Sequence, residues 1–542
     1  MTGALQSLLP MFVGAPLLLG GILLVVTRHH RLRQAVGMAA LLILLGGAIA
    51  LLVLTADGSV IAEQIALWPG GVAIPFIADA FSSLILTTAL LVAVVSYQYL
   101  IAGREARDPS ITSFVLILIG GVAGALLTAD LFNLFVFIEV MLLPSYGLLV
   151  ILSRRGDMAG SRLYVTVNLL ASTLFLSGVG LIYAVEGTVN LGELAGAADD
   201  PVTAIAAAVC LSAIAVKAAM FPVHGWLARA YRSASPAVAA LFSGLHTKVA
   251  VYIIYRIVSV VFEGDERWMS ALLILAAITL VVGALVGLGE REVRPMLLFQ
   301  MVSGIGFIIV GVTLSTPLGL TAGIAYMVHH MIVMGALLLV ASAIEQTYGS
   351  GRLDRVSGLR SREPLLTVAF IIAALSLAGL PPFSGFIAKY ALVLASADAG
   401  QVLIAGLLVV VSLLSLMAMM RIWADVFNGR RHADVELLAA ESRLRLERGL
   451  FDDEPIGAAA VEAEAADAVA RHDPPKRATT TEEDPHGHRG TRIPTALIVP
   501  ALLLAAVSVA LGLGGELLLA MSERAGAALL DTAGYVAAVV GR

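Results

Sequence analysis

The sequence predicts an all-α polytopic membrane protein with about fourteen transmembrane helices. Three observations carry this expectation. The 542 residues are 59% hydrophobic and only 13% charged, about half the ~25% charged fraction of soluble domains, and their mean hydropathy is +0.94. The apolar residues gather in runs of roughly 18 to 28, long enough to cross hydrocarbon as helices. Successive connections between the runs alternate between basic and acidic. A water-soluble globule would need far more charge to cover its surface, and a net charge of −5 from 34 basic and 39 acidic residues argues against a nucleic-acid binder.

The fourteen runs lie near 5–27, 35–54, 75–100, 111–128, 131–152, 162–186, 203–220, 236–260, 268–288, 295–314, 317–343, 364–395, 401–424 and 494–515. The first has no basic residue before it, unlike a secretory signal peptide, and Arg28, Arg31 and Arg33 follow it. Odd-numbered connections carry arginine: Arg104 and Arg107, Arg154, Arg155 and Arg162, Arg229 and Arg232, Arg291 and Arg294, then Arg352 to Arg362. Even-numbered ones carry mainly acids such as Asp57, Glu63, Glu186, Asp199, Glu263 and Asp265, with Arg267 the clear basic exception. Basic loops stay in the cytoplasm, so both termini are expected outside a bacterial inner membrane.

Residues 426–493 break the pattern with dense charge, alanine runs and Pro474-Pro475. They read as a partly disordered cytoplasmic insertion opened by a short amphipathic helix from Val435 to Leu446. His472, His486 and His488 lie there without an ordered partner, so no metal site is assigned to them. After the last span, Glu516 to Val540 is interrupted by Glu523, Arg524 and Asp531. That segment suits a helix against the outer surface better than a fifteenth span. Cys210 stands alone in an apolar run and reads as a small core residue.

Ionisable groups at mid-bilayer cost about 2.5–3.5 kcal/mol each on insertion scales and are functional candidates by default. Glu139 falls in span five, Lys217 in span seven, Lys248 in span eight and Lys389 in span twelve. His224, His246, His329 and His330 accompany them. Only four of the basic residues are lysine, and three of those four lie in apolar runs. Lysine gives up its proton when desolvated, whereas arginine does not. A nearby carboxylate pulls the proton back, and histidine passes protons near neutrality. This mixture suits proton movement, against the plainer reading of structural ion pairs between helices. Arg256 is expected to snorkel at the outer end of span eight, and Asp79 and Asp130 to cap helices.

Spans seven and twelve contain breakers beside their lysines: Pro222 follows Lys217, and Pro381-Pro382 precede Lys389. Proline frees backbone carbonyls that need a polar partner, as in the broken helices of transporters. Their spacing fits two inverted five-helix repeats, spans four to eight and nine to thirteen. The expected organisation is therefore helices one to three (1–110), an input half (111–260), an exit half (261–425), the insertion (426–493) and a C-terminal part (494–542).

The stretch from Lys217 through Phe221-Pro222, His224, Trp226-Leu227, Ser235-Pro236 and Thr247-Lys248 to Tyr252 and Arg256 resembles the proton-conducting antiporter-like family. That family includes the large membrane subunits of respiratory complex I and of Mrp-type sodium/proton antiporters. Asn133 to Met141, around Glu139, is similar to its glutamate helix, and Gly379 to Lys389 to its broken twelfth helix. Lysine at 389 and the Pro-Pro-Phe-Ser wording resemble the D-type antiporter branch, and the length excludes the larger A type. The resemblance implies Glu139 and Lys217 as the input pair, Lys248 as the central relay, His329 and His330 as a bridge, and Lys389 at the exit. The sequence departs from the pattern at Ala228 and Arg229, where proline and an acid are common, and at Met334, where lysine is frequent.

These readings lead to a proton-translocating subunit of a multisubunit Na+/H+ antiporter, a transporter rather than an enzyme, working with partner subunits in a lipid bilayer. No phosphate-binding glycine loop and no cysteine cluster is present, so no cofactor or metal is expected. The alternatives are a proton-pumping subunit of a complex I-like NADH:quinone oxidoreductase, a fourteen-span exporter of small molecules and a structural scaffold. The exporter lacks its usual Gly-x-x-x-Asp-Arg-type loop between spans two and three, and the intramembrane lysines argue against a scaffold.

Overall fold

Four of the apolar helices begin alike, at Asp108-Pro109, Asp200-Pro201, Ser235-Pro236 and Thr316-Pro317. In each, the first side chain accepts a hydrogen bond from a backbone N–H two or three residues on, and proline takes the first helical position. Its missing N–H is one the helix leaves unpaired there anyway. The computed structural model describes residues 6–26, 29–64, 74–152, 158–428 and 492–541. The helices in order are α1 (Met11–Val26), α2 (His30–Leu54), α3 (Ala80–Ala102), α4 (Pro109–Leu127), α5 (Leu131–Ile151), α6 (Met158–Glu186), α7 (Pro201–Lys217), α8 (Gly225–Ser233) and α9 (Pro236–Val260). They continue as α10 (Glu266–Gly289), α11 (Val293–Thr313), α12 (Pro317–Tyr348), α13 (Leu359–Arg362), α14 (Pro364–Ala378), α15 (Ser384–Asp398), α16 (Val402–Ile422), α17 (Thr495–Leu513), α18 (Gly515–Leu530) and α19 (Thr532–Val540).

Among the described residues, 11 helices are long and apolar enough to cross a membrane. Three shorter apolar ones, α1, α7 and α14, stand where spans one and seven and the first half of span twelve were expected. The expected insertion helix from Val435 to Leu446, and His472, His486 and His488, lie outside the described residues.

The all-α expectation has one exception. Residues 75–78, expected to open the third span, form a strand (β2, Pro75–Ala78) paired antiparallel with β1 (Ile61–Gln64). Helix α3 starts only after Asp79, whose carboxylate accepts from the Ser82 N–H while Ser82 Oγ accepts from the Asp79 N–H. This reciprocal cap fixes the helix start.

The interior is a column of α9, α11 and α12, whose apolar stretches are entirely buried. Helix α12 is its hub, packed against α9, α11, α14, α15, α17 and α18. Lipid is as apolar as leucine, so helices here are held by close packing and interhelical hydrogen bonds. Tyr255 donates to the Ile308 carbonyl at 2.6 Å, Tyr252 to Leu126 at 2.8 Å and Ser303 to Leu280 at 2.9 Å.

Arg256 does not snorkel. It is buried, and its guanidinium pairs with Asp79 at 2.7 Å while lying over the rings of Phe81, Tyr252 and Tyr535. Asp79 caps α3 as expected and pairs with Arg256 as well, and Asp130 caps α5 through the Asn133 N–H. Tyr535 belongs to the C-terminal segment, which forms two helices rather than one. Helix α18 packs against α3 and α12, and α19 against the β-hairpin. Removing one partner of a buried ion pair costs about 3–5 kcal/mol. Asp79→Ala is therefore expected to lower the thermal melting of the purified protein sharply, whereas an exposed acid such as Asp354→Ala leaves it nearly unchanged.

Candidate functional site

Both broken helices end in the same turn. In the first, Ala219 takes a left-handed conformation (φ 59°), with the Met220 N–H on the Ala215 carbonyl and the Ala219 N–H on Val216. In the second, Gly379 does so (φ 88°), with Leu380 on Leu375 and Gly379 on Ser376. This is the Schellman ending of a helix. A cis proline follows in each, Pro222 and Pro382. The breaks thus match position for position: Ala219 with Gly379, Pro222 with Pro382, Gly225 with Gly385.

The polar groups freed by each break find side-chain partners. The Trp226 indole donates to the Val216 carbonyl at 2.9 Å, and the Phe221 N–H donates to Thr279 Oγ1 at 3.0 Å. At the second break the donor is a lysine. Lys389 Nζ reaches back to the Ala378 carbonyl at 3.3 Å and lies 4.8 Å from the Phe307 ring centroid. Lys217 is itself the last residue of α7. Both lysines therefore stand at the C-terminal end of a half-helix, where the dipole favours a cation.

Glu139 and Lys217 come together, but through a third residue. Lys217 Nζ donates to Ser172 Oγ at 2.9 Å and to the Asn168 carbonyl at 3.3 Å, and Ser172 donates to the Glu139 carboxylate. Ser172 was not singled out from sequence, and serines recur along α6 with no charge to mark one of them. Beyond Lys217 lies a cavity of ≈ 10 Å³ lined by Asn168, Trp226 and His246, about the space of one water. His246 Nε2 is hydrogen-bonded to Ser145 Oγ at 2.7 Å, and Ser145 donates to the Met141 carbonyl.

Lys248, two residues along α9, is fully buried, with Thr247 Oγ1 at 3.2 Å. His330 interacts electrostatically with both Lys248 and Lys389, and His329 with Lys389. His329 Nδ1 is hydrogen-bonded to Ser384 Oγ at 2.8 Å. The His330 ring lies against Gly304 of α11, where a Cβ would overlap it. His224 is set apart: its ring is half-exposed and packs on Phe221 and Phe299.

Among the described residues no group of three potential ligands is arranged for a metal ion. The buried amines, imidazoles and hydroxyls, with one part-buried carboxylate, are of types that can take up and release protons.

Residues 128–415 match the family model described as NADH:quinone oxidoreductase/Mrp antiporter, TM. The D-type Na(+)/H(+) antiporter subunit of Alkalihalophilus pseudofirmus is 35% identical over 431 residues, 78% of this chain and 87% of that protein. The chain belongs to the NADH:quinone oxidoreductase/Mrp antiporter family. A chain in the Mrp complex from Dietzia sp. DQ12-45-1b is 45% identical, with a TM-score of 0.87 over 99% of this chain and 100% of that one. A chain of the membrane-bound sulfane sulfur reductase, an archaeal respiratory membrane complex, shares the fold at 23% identity, with a TM-score of 0.81 over 98% and 99% of the two chains. The antiporter-family match spans Glu139, Lys217, Lys248, His329, His330 and Lys389.

Gly304→Ala drives a methyl group into the His330 ring. Overpacking of this kind costs about 1–3 kcal/mol, so a lower melting temperature is expected. Gly406→Ala, on α16 with nothing within 4 Å of the added atom, should show no such loss.

Proposed function

We propose that this chain is the proton-translocating membrane subunit of a multisubunit Na+/H+ antiporter in a bacterial inner membrane. Both termini face outward, and the subunit works only with its partner subunits. Protons move from Glu139 through Ser172 to Lys217, then across the one-water cavity that Lys217 and His246 both line to His246, and on to Lys248. From there they pass through His330 and His329 to Lys389.

The observation that carries this reading is the Lys217–Ser172–Glu139 chain beside the first helix break. Its amine and carboxylate share a proton through one rotatable hydroxyl, and separating them changes which end holds it. The antiporter names of the relatives and the likeness to the Mrp complex support an antiporter over a complex I-like redox enzyme. The matched turns at Ala219 and Gly379 support an inverted repeat.

Glu139→Ala, Lys217→Ala and Lys389→Ala are each expected to abolish proton-coupled sodium efflux in everted vesicles while the complex still assembles. Ser172→Ala removes a hydrogen bond to charged groups, worth about 1.5–3 kcal/mol. It should slow efflux about tenfold or more, with Ser172→Thr recovering most of the rate. Wild-type efflux by the Lys217 or Glu139 variant would overturn the relay.

A further inference from the structure

The hydrogen bonding of His329 extends beyond the second break into a helix that the proposed relay does not use. Ser384 Oγ, which holds His329 Nδ1, is also hydrogen-bonded to Ser508 Oγ at 2.9 Å, and Ser508 Oγ to Ser376 Oγ at 2.8 Å. Ser376 and Ser384 lie 3.4 Å apart, so their direct link is the long one. All three serines and His329 are buried completely. They come from four helices: Ser376 from α14 before the break, Ser384 from α15 after it, His329 from α12 and Ser508 from α17.

Helix α17 lies after the insertion and outside the stretch matched to the family model. It is seated tightly here, because a Cβ on Gly512, one turn beyond Ser508, would strike the backbone of Pro382, Phe383 and Ser384.

We propose that Ser508 is a positioning residue for His329, an inference that rests on the relay reading above. Each hydroxyl has one proton to give, so the hydrogen bonds among the three serines run in one direction or the other. In one direction Ser384 donates to His329 Nδ1, and the imidazole proton sits on Nε2. In the other, His329 Nδ1–H donates to Ser384, and Nε2 is left with its lone pair. Nε2 is buried and without a hydrogen-bond partner, and it is the ring atom left free for the relay. The polarity of the serine chain therefore sets whether Nε2 presents a proton or accepts one. Ser508 holds that polarity because it joins the serines on the two sides of the break. Three serines placed only to satisfy one another would leave transport indifferent to the chain.

The test uses the assembled complex in everted vesicles, with proton-coupled sodium efflux normalised to the amount of complex in the membrane. Ser508→Ala and Ser384→Ala are each expected to slow efflux about three- to tenfold and to change the shape of its pH profile alike. The double variant should be no more than about twofold slower than the slower single one, because residues in one network are not additive. Ser522→Ala is the control, a buried serine bonded only to its own helix at Leu518, and should keep the wild-type rate and pH profile. Should Ser508→Ala fail to assemble, the pair Ser376→Ala and Ser384→Ala reads the same chain, since their coupling must run largely through Ser508. Wild-type efflux by Ser508→Ala, or effects that multiply in the double variant, would overturn the proposal. Loss of transport in Lys389→Ala alongside wild-type Ser508→Ala sinks this inference alone, whereas full transport in Lys389→Ala sinks the relay reading beneath it.

Discussion

A helix that breaks inside a membrane must find partners for the backbone groups it releases, because hydrocarbon offers none. The placement of the ionisable groups follows from that constraint. At the first break an indole and a threonine close the freed groups, leaving Lys217 at the end of α7 to bond Ser172 and Asn168. At the second break Lys389 itself closes a carbonyl at the end of α14. An amine placed this way has a polar anchor whether or not it carries a charge, since an N–H remains in both states. A carboxylate anchor would favour the charged state alone.

The two breaks meet this constraint with different chemistry. Beside the first break a carboxylate, Glu139, lies within one hydroxyl of Lys217. The ion pairs found among the described residues involve neither Lys248 nor Lys389. Lys389 has an aromatic face and a carbonyl instead, and its histidine neighbour is held by serines. An aromatic face attracts a cation through its quadrupole, more weakly than a full negative charge does. Lys217 thus has a carboxylate one hydroxyl away, and Lys389 has none among the described ion pairs. Helix α12 touches α9, which carries Lys248, and also α14, α15 and α17 around the second break.

Much of this was legible from residue order because the signals were local. Proline after a capping residue marks where α4, α7, α9 and α12 begin. Rare lysines in apolar runs mark the site, and Pro222 and Pro382 mark the breaks. What escaped was long-range pairing. Ser172 and Ser508 are common residues that matter by meeting Lys217 and Ser384 across helices, and nothing in their own neighbourhoods distinguishes them; Ser384 closes the Pro-Pro-Phe-Ser stretch, but its bond to His329 is not written there. Arg256 escaped for the same reason. Its place near a helix end suggests snorkelling, yet Asp79, far away in sequence, supplies a buried partner. The β-hairpin was missed because Pro75 to Ala78 is as apolar as the helix that follows.

The division between arginine and lysine takes a sharper form once burial is known. Arginine is not confined to loops: Arg256 and Arg294 are both buried, each against a carboxylate. Arg294 binds Glu345 with two nitrogens and places a third against the carbonyls of Tyr231, Arg232 and Ala234 at the end of α8. A guanidinium keeps its charge at any accessible pH, and its planar fork suits such fixed multiple bonding. Its burial is tolerable only with a partner, because an uncompensated buried charge costs several kcal/mol. The three buried lysines make no direct ion pair and rest on hydroxyls, carbonyls and a ring. Permanent charge is thus placed where helices are locked to one another, and removable charge at the positions the proposed relay uses. In the proposed relay, a lysine that must change state is one that a lasting carboxylate partner would disable. That accounts for a hydroxyl, rather than a direct contact, between Lys217 and Glu139.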